Sequence, residues 1–131
     1  ELLKQGEAAE GLERTLEGLE TASSPREKVA GMSNVCAAHV MLGNYEEALP
    51  WCDQALDIHG RNWRALVNRS LAYLKLGRLE EAEADLMLAE EIAPGARSVK
   101  LVRSIYLDIT DPVAPHVIID DRRQQPDDDA K

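Results

Sequence analysis

Apolar positions along this chain recur three and four residues apart, the spacing of one face of an α-helix, from Leu12 to Ile109. The most regular stretch runs from Trp63 to Pro94, WRALVNRSLAYLKLGRLEEAEADLMLAEEIAP. It reads as two amphipathic helices joined by a tight turn at Gly77-Arg78. Moved back by 34 residues, the same pattern recurs from Val29 to Gly60. A period of this size marks a stack of helix pairs, because each pair can bury its apolar face only against its neighbours.

The flanks fit the same scheme in part. Glu1 to Gly6 reads as the end of a helix whose beginning is missing, since it matches the stretches that end at Gly43 and Gly77. Glu7 to Glu20 follows as a helical run with Leu12, Leu16 and Leu19 on one stripe. Thr21 to Pro25 is loop, and Pro25 opens the next helix, where its missing N–H costs nothing. That helix runs to about Leu42. Asn44 is the expected N-cap of its partner, with Glu47 placed as in a capping box. Pro50 predicts a local kink in that partner, which ends near His59-Gly60. Asn62 is the expected cap of the following helix. Leu79 to Ala93 is stopped by Pro94-Gly95, and Ala96 to Ile109 forms a last, seventh helical stretch. Val113 to Ile119 is apolar and β-branched between prolines, which predicts an extended segment. Asp120 to Lys131 is polar and charged, and is expected to be disordered unless something holds it.

The pairs in register are Asn34/Asn68, Ala38/Ala72, Leu42/Leu76, Gly43/Gly77, Glu46-Glu47/Glu80-Glu81, Ala48/Ala82, Ala55/Ala89 and Ile58/Ile92. Small residues at fixed helix crossings on this period resemble the tetratricopeptide repeat family. The resemblance covers two full repeats, Val29 to Pro94, and extends through partial repeats to about residues 1–110. It implies an all-α, antiparallel helix-pair solenoid of about six to seven helices with an extended C-terminal tail. The expected division is a truncated repeat at 1–24, repeats at 29–62 and 63–96, a capping helix at 97–110, and a tail at 111–131. Two residues depart from the pattern. Arg69 stands where the family has a large apolar residue, as Val35 does, and is expected to snorkel or to pair with a nearby Glu. Gly60 stands where the next repeat has Pro94.

Composition narrows the class. Hydrophobic content is 44% but aromatics are only 4% and Phe is absent, so the core must be aliphatic and close-packed. The net charge of −9 argues against nucleic acid and anionic membrane surfaces as partners. No apolar run approaches the roughly 18 residues that span a bilayer. The chain begins at Glu1 without Met, so the compartment stays open: cytoplasmic, or periplasmic or secreted if a signal peptide has been removed.

By resemblance, the first helix of each pair lines a concave groove that takes a partner segment. Its candidates are Ala30, Ser33, Asn34, Ala37, Val40 and Met41, then Arg64, Val67, Asn68, Leu71, Leu74 and Lys75, then Leu101, Val102 and Ile105. Asn34 and Asn68 stand out, since an amide can donate to and accept from a peptide backbone at once. Ser33 and Ala37 replace the Lys and Asn with which some family members grip a C-terminal carboxylate, so that clamp is not reproduced. An apolar partner is the expected occupant, through Val67, Leu71, Leu74, Leu101 and Ile105. Val113 to Ile119 is one such segment, able to enter the groove of its own or a neighbouring molecule, or to pack on the last helix.

Candidate chemistry is thin. Cys36 and Cys52 lie on paired helices at heights that allow a disulfide in an oxidising compartment, but both occupy packing columns that favour buried thiols. His39, His59 and His116 have no metal-ligand spacing, and the Glu pairs read as solvated faces or first-turn charges. No cofactor, metal or catalysis is expected. The reading is a protein-interaction module, an adaptor or scaffold; the alternative is a structural piece of a longer solenoid, or a self-associating subunit whose groove holds the tail.

Overall fold

A computed structural model describes residues 2–111, with side chains from Gly6 onward. The expected tail, and with it the extended segment at 113–119, lies outside the described residues. Within them the chain forms six helices and no strand: α1 (Leu2–Glu20), α2 (Pro25–Met41), α3 (Tyr45–Ile58), α4 (Trp63–Lys75), α5 (Leu79–Ile92) and α6 (Arg97–Thr110). Each packs on the next, and α2 and α4 also pack side by side, as do α4 and α6. This is the all-α solenoid that the period implies.

Each hairpin turn has the same construction. Gly43 and Gly77 take φ of +82° and +79°, a left-handed conformation that only glycine adopts without strain. The N–H groups of Asn44 and Arg78 then reach back to the carbonyls of His39 and Tyr73, each at 2.8 Å, closing Schellman motifs. Two residues past each glycine, Tyr45 and Leu79 pack against the core and hold the chain in its new direction. Gly6 does not turn the chain: α1 runs unbroken through it, so the first two helical stretches are one and the described residues hold six helices, within the six to seven expected. The residue two places on is Ala8, whose methyl offers no comparable anchor.

The caps are unequal. Ser24 accepts from the Glu27 N–H at 3.1 Å, Glu27 accepts from the Ser23 N–H at 2.9 Å, and Pro25 begins α2, so that start is well satisfied. Asn62 caps α4 as expected, accepting from the Ala65 N–H at 3.2 Å. Asn44 does not cap α3 with its side chain. The Schellman turn directs its amide back toward His39 Nδ1, 3.4 Å away. α3 continues through Pro50, which is exposed.

Two apolar cores fill the stack. The first gathers Val29, Cys36, Val40, Ala48, Leu49, Cys52, Ala55, Ala65 and Ala72; the second centres on Leu66, Val67, Leu74, Ala82, Leu86, Ala89, Val99 and Val102. Leu56, Leu71 and Tyr73 pack against both and join them. Ala48, Ala55, Ala82 and Ala89 are fully buried, because helices that cross this closely leave room only for a methyl. Gly31 does the same for α1: a Cβ there would meet Leu19 Cδ1 at 2.9 Å.

The packing columns favoured free thiols, yet Cys36 and Cys52 form a disulfide that joins α2 to α3 with their Cα atoms 5.4 Å apart. The small side chains at these crossings bring the two helices close enough for a bond, so the columns that bury the sulfurs also align them. Cys52 Sγ also lies 3.3 Å from the Ala65 carbonyl oxygen, a contact in which the bonded sulfur has no proton to donate. In the second hairpin the equivalent pair is Ser70 and Leu86. There the Ser70 hydroxyl donates to the Ala82 carbonyl at 2.8 Å and Leu86 fills the space.

Candidate functional site

The first helices of successive pairs, α2, α4 and α6, lie side by side, and the cleft between them is the candidate site. Residues three and four apart on α2 and α4 point the same way, so Ser33, Asn34 and Ala37 face Arg64, Val67 and Asn68 across the groove. These six, with Trp63 and with Ser98 from α6, line a cleft of about 220 Å³. Two further clefts, of about 460 and 240 Å³, continue it between α1 and α2, past Thr15 to Glu27 and Glu7 respectively. Asn34 lines all three and is their junction.

The polar groups differ in what they have left to offer. Asn34 is exposed and its amide makes no hydrogen bond among the described residues. Asn68 donates through Nδ2 to the Arg64 carbonyl at 3.0 Å, which holds the side chain still and leaves Oδ1 to accept. The Arg64 guanidinium lies 4.5 Å from the centre of the Trp63 ring. It makes no ion pair among the described residues, so a cation rests on an aromatic face at the groove wall.

The aliphatic residues expected to make the groove apolar are largely spent elsewhere. Val67 is 5% exposed and Leu74 4%, both inside the second core, because α6 packs Val99 and Val102 against them. Leu71 is half-buried between the two cores, and Ile105 is half-buried against the second. Lys75 and Leu101 are exposed but do not line the central cleft. The wall that results is amide, hydroxyl and guanidinium over a floor of Ala37, Val67 and Trp63. Sequence reasoning named neither Trp63 nor Ser98 among the groove residues. The period contained the signal, since Ser98 stands 34 residues after Arg64.

Outside the groove, two arginines tie the helices together. Arg69 Nε and Nη2 donate to the two carboxylate oxygens of Asp85 at 2.7 and 2.9 Å, and Nη1 reaches Asp53 at 2.8 Å. The expected Glu partner is therefore two aspartates, on α5 and α3. Arg103, one period later, clasps Glu90 with two bonds of 2.8 Å and Glu83 with another. The hydrogen bonds to Asp85 and Glu90 raise the two guanidinium pKa values, and Arg103 holds the Glu90 carboxyl below its ordinary 4.5. Burial raises the Tyr73 hydroxyl, beside the rings of which Arg69 and Arg78 lie. These clusters brace the scaffold rather than face a ligand.

The comparisons with known proteins agree with this architecture. The family model described as tetratricopeptide repeat matches residues 39–105. The Photosystem I assembly protein Ycf3 of Cyanophora paradoxa is 30% identical over 109 residues, which cover 79% of this chain and 63% of that protein. The FK506-binding protein-like of Homo sapiens is 33% identical over 76 residues, 58% of this chain but only 22% of that protein. The chain thus spans less than two thirds of either relative. Among solved structures, the Arabidopsis OM64 TPR domain superposes with a TM-score of 0.58 at 20% identity, covering 81% of this chain and 96% of that domain.

Proposed function

Since the chain belongs to the tetratricopeptide repeat family, whose fold is a protein-interaction module, we propose that it acts without catalysis as an adaptor that holds a partner segment in the concave groove. The observation that carries this reading is the state of the two amides. Asn34, at the junction of three clefts, has its whole amide to offer, and Asn68 has its Oδ1. Together they meet one N–H and one C=O of an extended backbone, while Arg64 attracts an acceptor beside it. Lys75 at the end of α4, with Leu101 and Ile105 on α6, would meet the partner segment beyond the central cleft. A relative named as an assembly protein points likewise to protein partners.

The test is a pull-down with the triple variant Asn34→Ala, Arg64→Ala, Asn68→Ala, read by mass spectrometry against the unaltered chain. Arg64 and Asn34 are exposed, so the fold should stand, and circular dichroism checks it. Loss of specific partners is expected. Retention of all of them by a folded variant overturns the reading.

A second reading rests on α6. Leu101 stands one period after Val67, yet Leu101 is 59% exposed where Val67 is 5%. Val67 is covered by the next first helix, and Leu101 awaits the same cover from a further repeat, a second copy or residues 113–119. Light scattering across a concentration series separates these: a strict monomer excludes the second copy. Unchanged dye binding and stability after removal of residues 112–131 exclude the chain's own segment.

A further inference from the structure

Where α2 begins and α3 ends, Pro25, Arg26, Val29, Ala30, Ile58, His59 and Asn62 line an open crevice of about 420 Å³. None of its residues lines the three clefts described above, although Ala30 was among the groove candidates read from the sequence. Its walls are mainly apolar, with Arg26, His59 and Asn62 at the rim. The next repeat carries a larger side chain at the corresponding register. One period on, Val29 becomes Trp63, Ala30 becomes Arg64, Ile58 becomes Ile92 and Asn62 becomes Ala96. Trp63, Ile92 and Ala96 all pack against the second core, and the Arg64 guanidinium sits over the indole at 4.5 Å. In the first repeat the indole is missing. Val29 is drawn into the first core at 7% exposed, and Ile58 is left 48% exposed beside the opening.

We infer that this crevice receives an aromatic side chain of a partner segment, flanked by a carboxylate, in the position that Trp63 fills one repeat later. The size suits a ring: the volume lies within the range of small ligand sites, with apolar walls and a few directing polar groups. The rim selects the neighbour. Arg26 lies one helical turn before Ala30 and makes no ion pair among the described residues, so its guanidinium can lie over a guest ring as Arg64 lies over Trp63. Asn62 Oδ1 is occupied by the Ala65 N–H, which leaves its Nδ2 to donate. A rim that offers N–H donors and a cation is matched by a carboxylate.

The experiment titrates the 15N-labelled protein with N-acetyl-Glu-Trp-amide and follows backbone amides by NMR. Shifts are expected at Val29, Ala30, Ile58 and His59 and not at Asn34 or Asn68, saturating at about 1 mM as a single buried ring allows. N-acetyl-Glu-Ala-amide, without the ring, should leave those amides unmoved, and N-acetyl-Lys-Trp-amide should bind about threefold or more weakly. Val29→Trp should close the crevice from within and abolish the shifts. Ile58→Glu, at an exposed position that cannot unfold the core, should do the same by charge. No shift at about 10 mM peptide, shifts confined to Asn34 and Asn68, or full binding by Ile58→Glu would overturn the assignment. The groove can fail its own test while the crevice passes this one, since Asn34, Arg64 and Asn68 do not line the crevice.

Discussion

Arg69 shows how one residue can break a repeat's pattern and be compensated by two others. Its position is apolar in the preceding repeat, yet its guanidinium is satisfied on three nitrogens, by Asp85 twice and Asp53 once. Asp85 is 7% exposed, so the pair is stable only while both partners are present. Asp85→Ala should lower stability by about 2–4 kcal/mol, because it removes two of the three charge-assisted hydrogen bonds of a partly buried cation and leaves only the exposed Asp53 to pair it. Arg69→Met with Asp85→Leu should recover most of that loss; chemical denaturation midpoints read both. The departure itself was legible in the sequence, since Arg69 stands against Val35. Its partners were not. Three glutamates lie nearer to it along the chain, at 80, 81 and 83, but Glu81 is engaged by Arg78 and Glu83 by Arg103.

At the scale of the helix pair, the turn and the cross-link decide the geometry. Gly43 and Gly6 end similar sequences, but only Gly43 has positive φ. Gly43→Ala should therefore cost about 1–2 kcal/mol. Gly6→Ala, in a helix with open space around the position, should be neutral or stabilise by up to about 1 kcal/mol. The thermal midpoint should fall for Gly43→Ala and hold or rise for Gly6→Ala. The Cys36–Cys52 bond closes a loop with a sequence separation of 16 between α2 and α3. Reduction should destabilise the chain by about 3 kcal/mol. A Cys36→Ser, Cys52→Leu variant copies the second hairpin, and its stability should not respond to reductant. Equal midpoints of the unaltered chain with and without reductant would contradict a bonded pair.

Across the whole molecule, coupling between neighbouring elements depends on charge as well as packing. Arg103 on α6 binds Glu83 and Glu90 on α5, and its hydrogen bond lowers the Glu90 pKa. A carboxyl depressed in the folded state contributes stability above its unfolded value of 4.5, and that contribution fades as pH falls through the folded value. Glu90→Gln should therefore weaken the protein at neutral pH and flatten the fall in stability below about pH 4.5. Denaturation of both chains at neutral and acid pH measures the difference.

By itself the sequence determined the helices, their period, the glycine turns and the Asn62 cap. All of these follow from spacing along one chain, where neighbours three, four and 34 residues apart are settled by local geometry. Only the tertiary structure decided that Gly6 stays helical, that Cys36 meets Cys52, that Arg69 takes aspartates, and that Val67 and Leu74 belong to the core. Each depends on what a third helix leaves room for. The groove wall is polar for the same reason: α6 consumes the aliphatic flank of α4, and the amides of Asn34 and Asn68 remain.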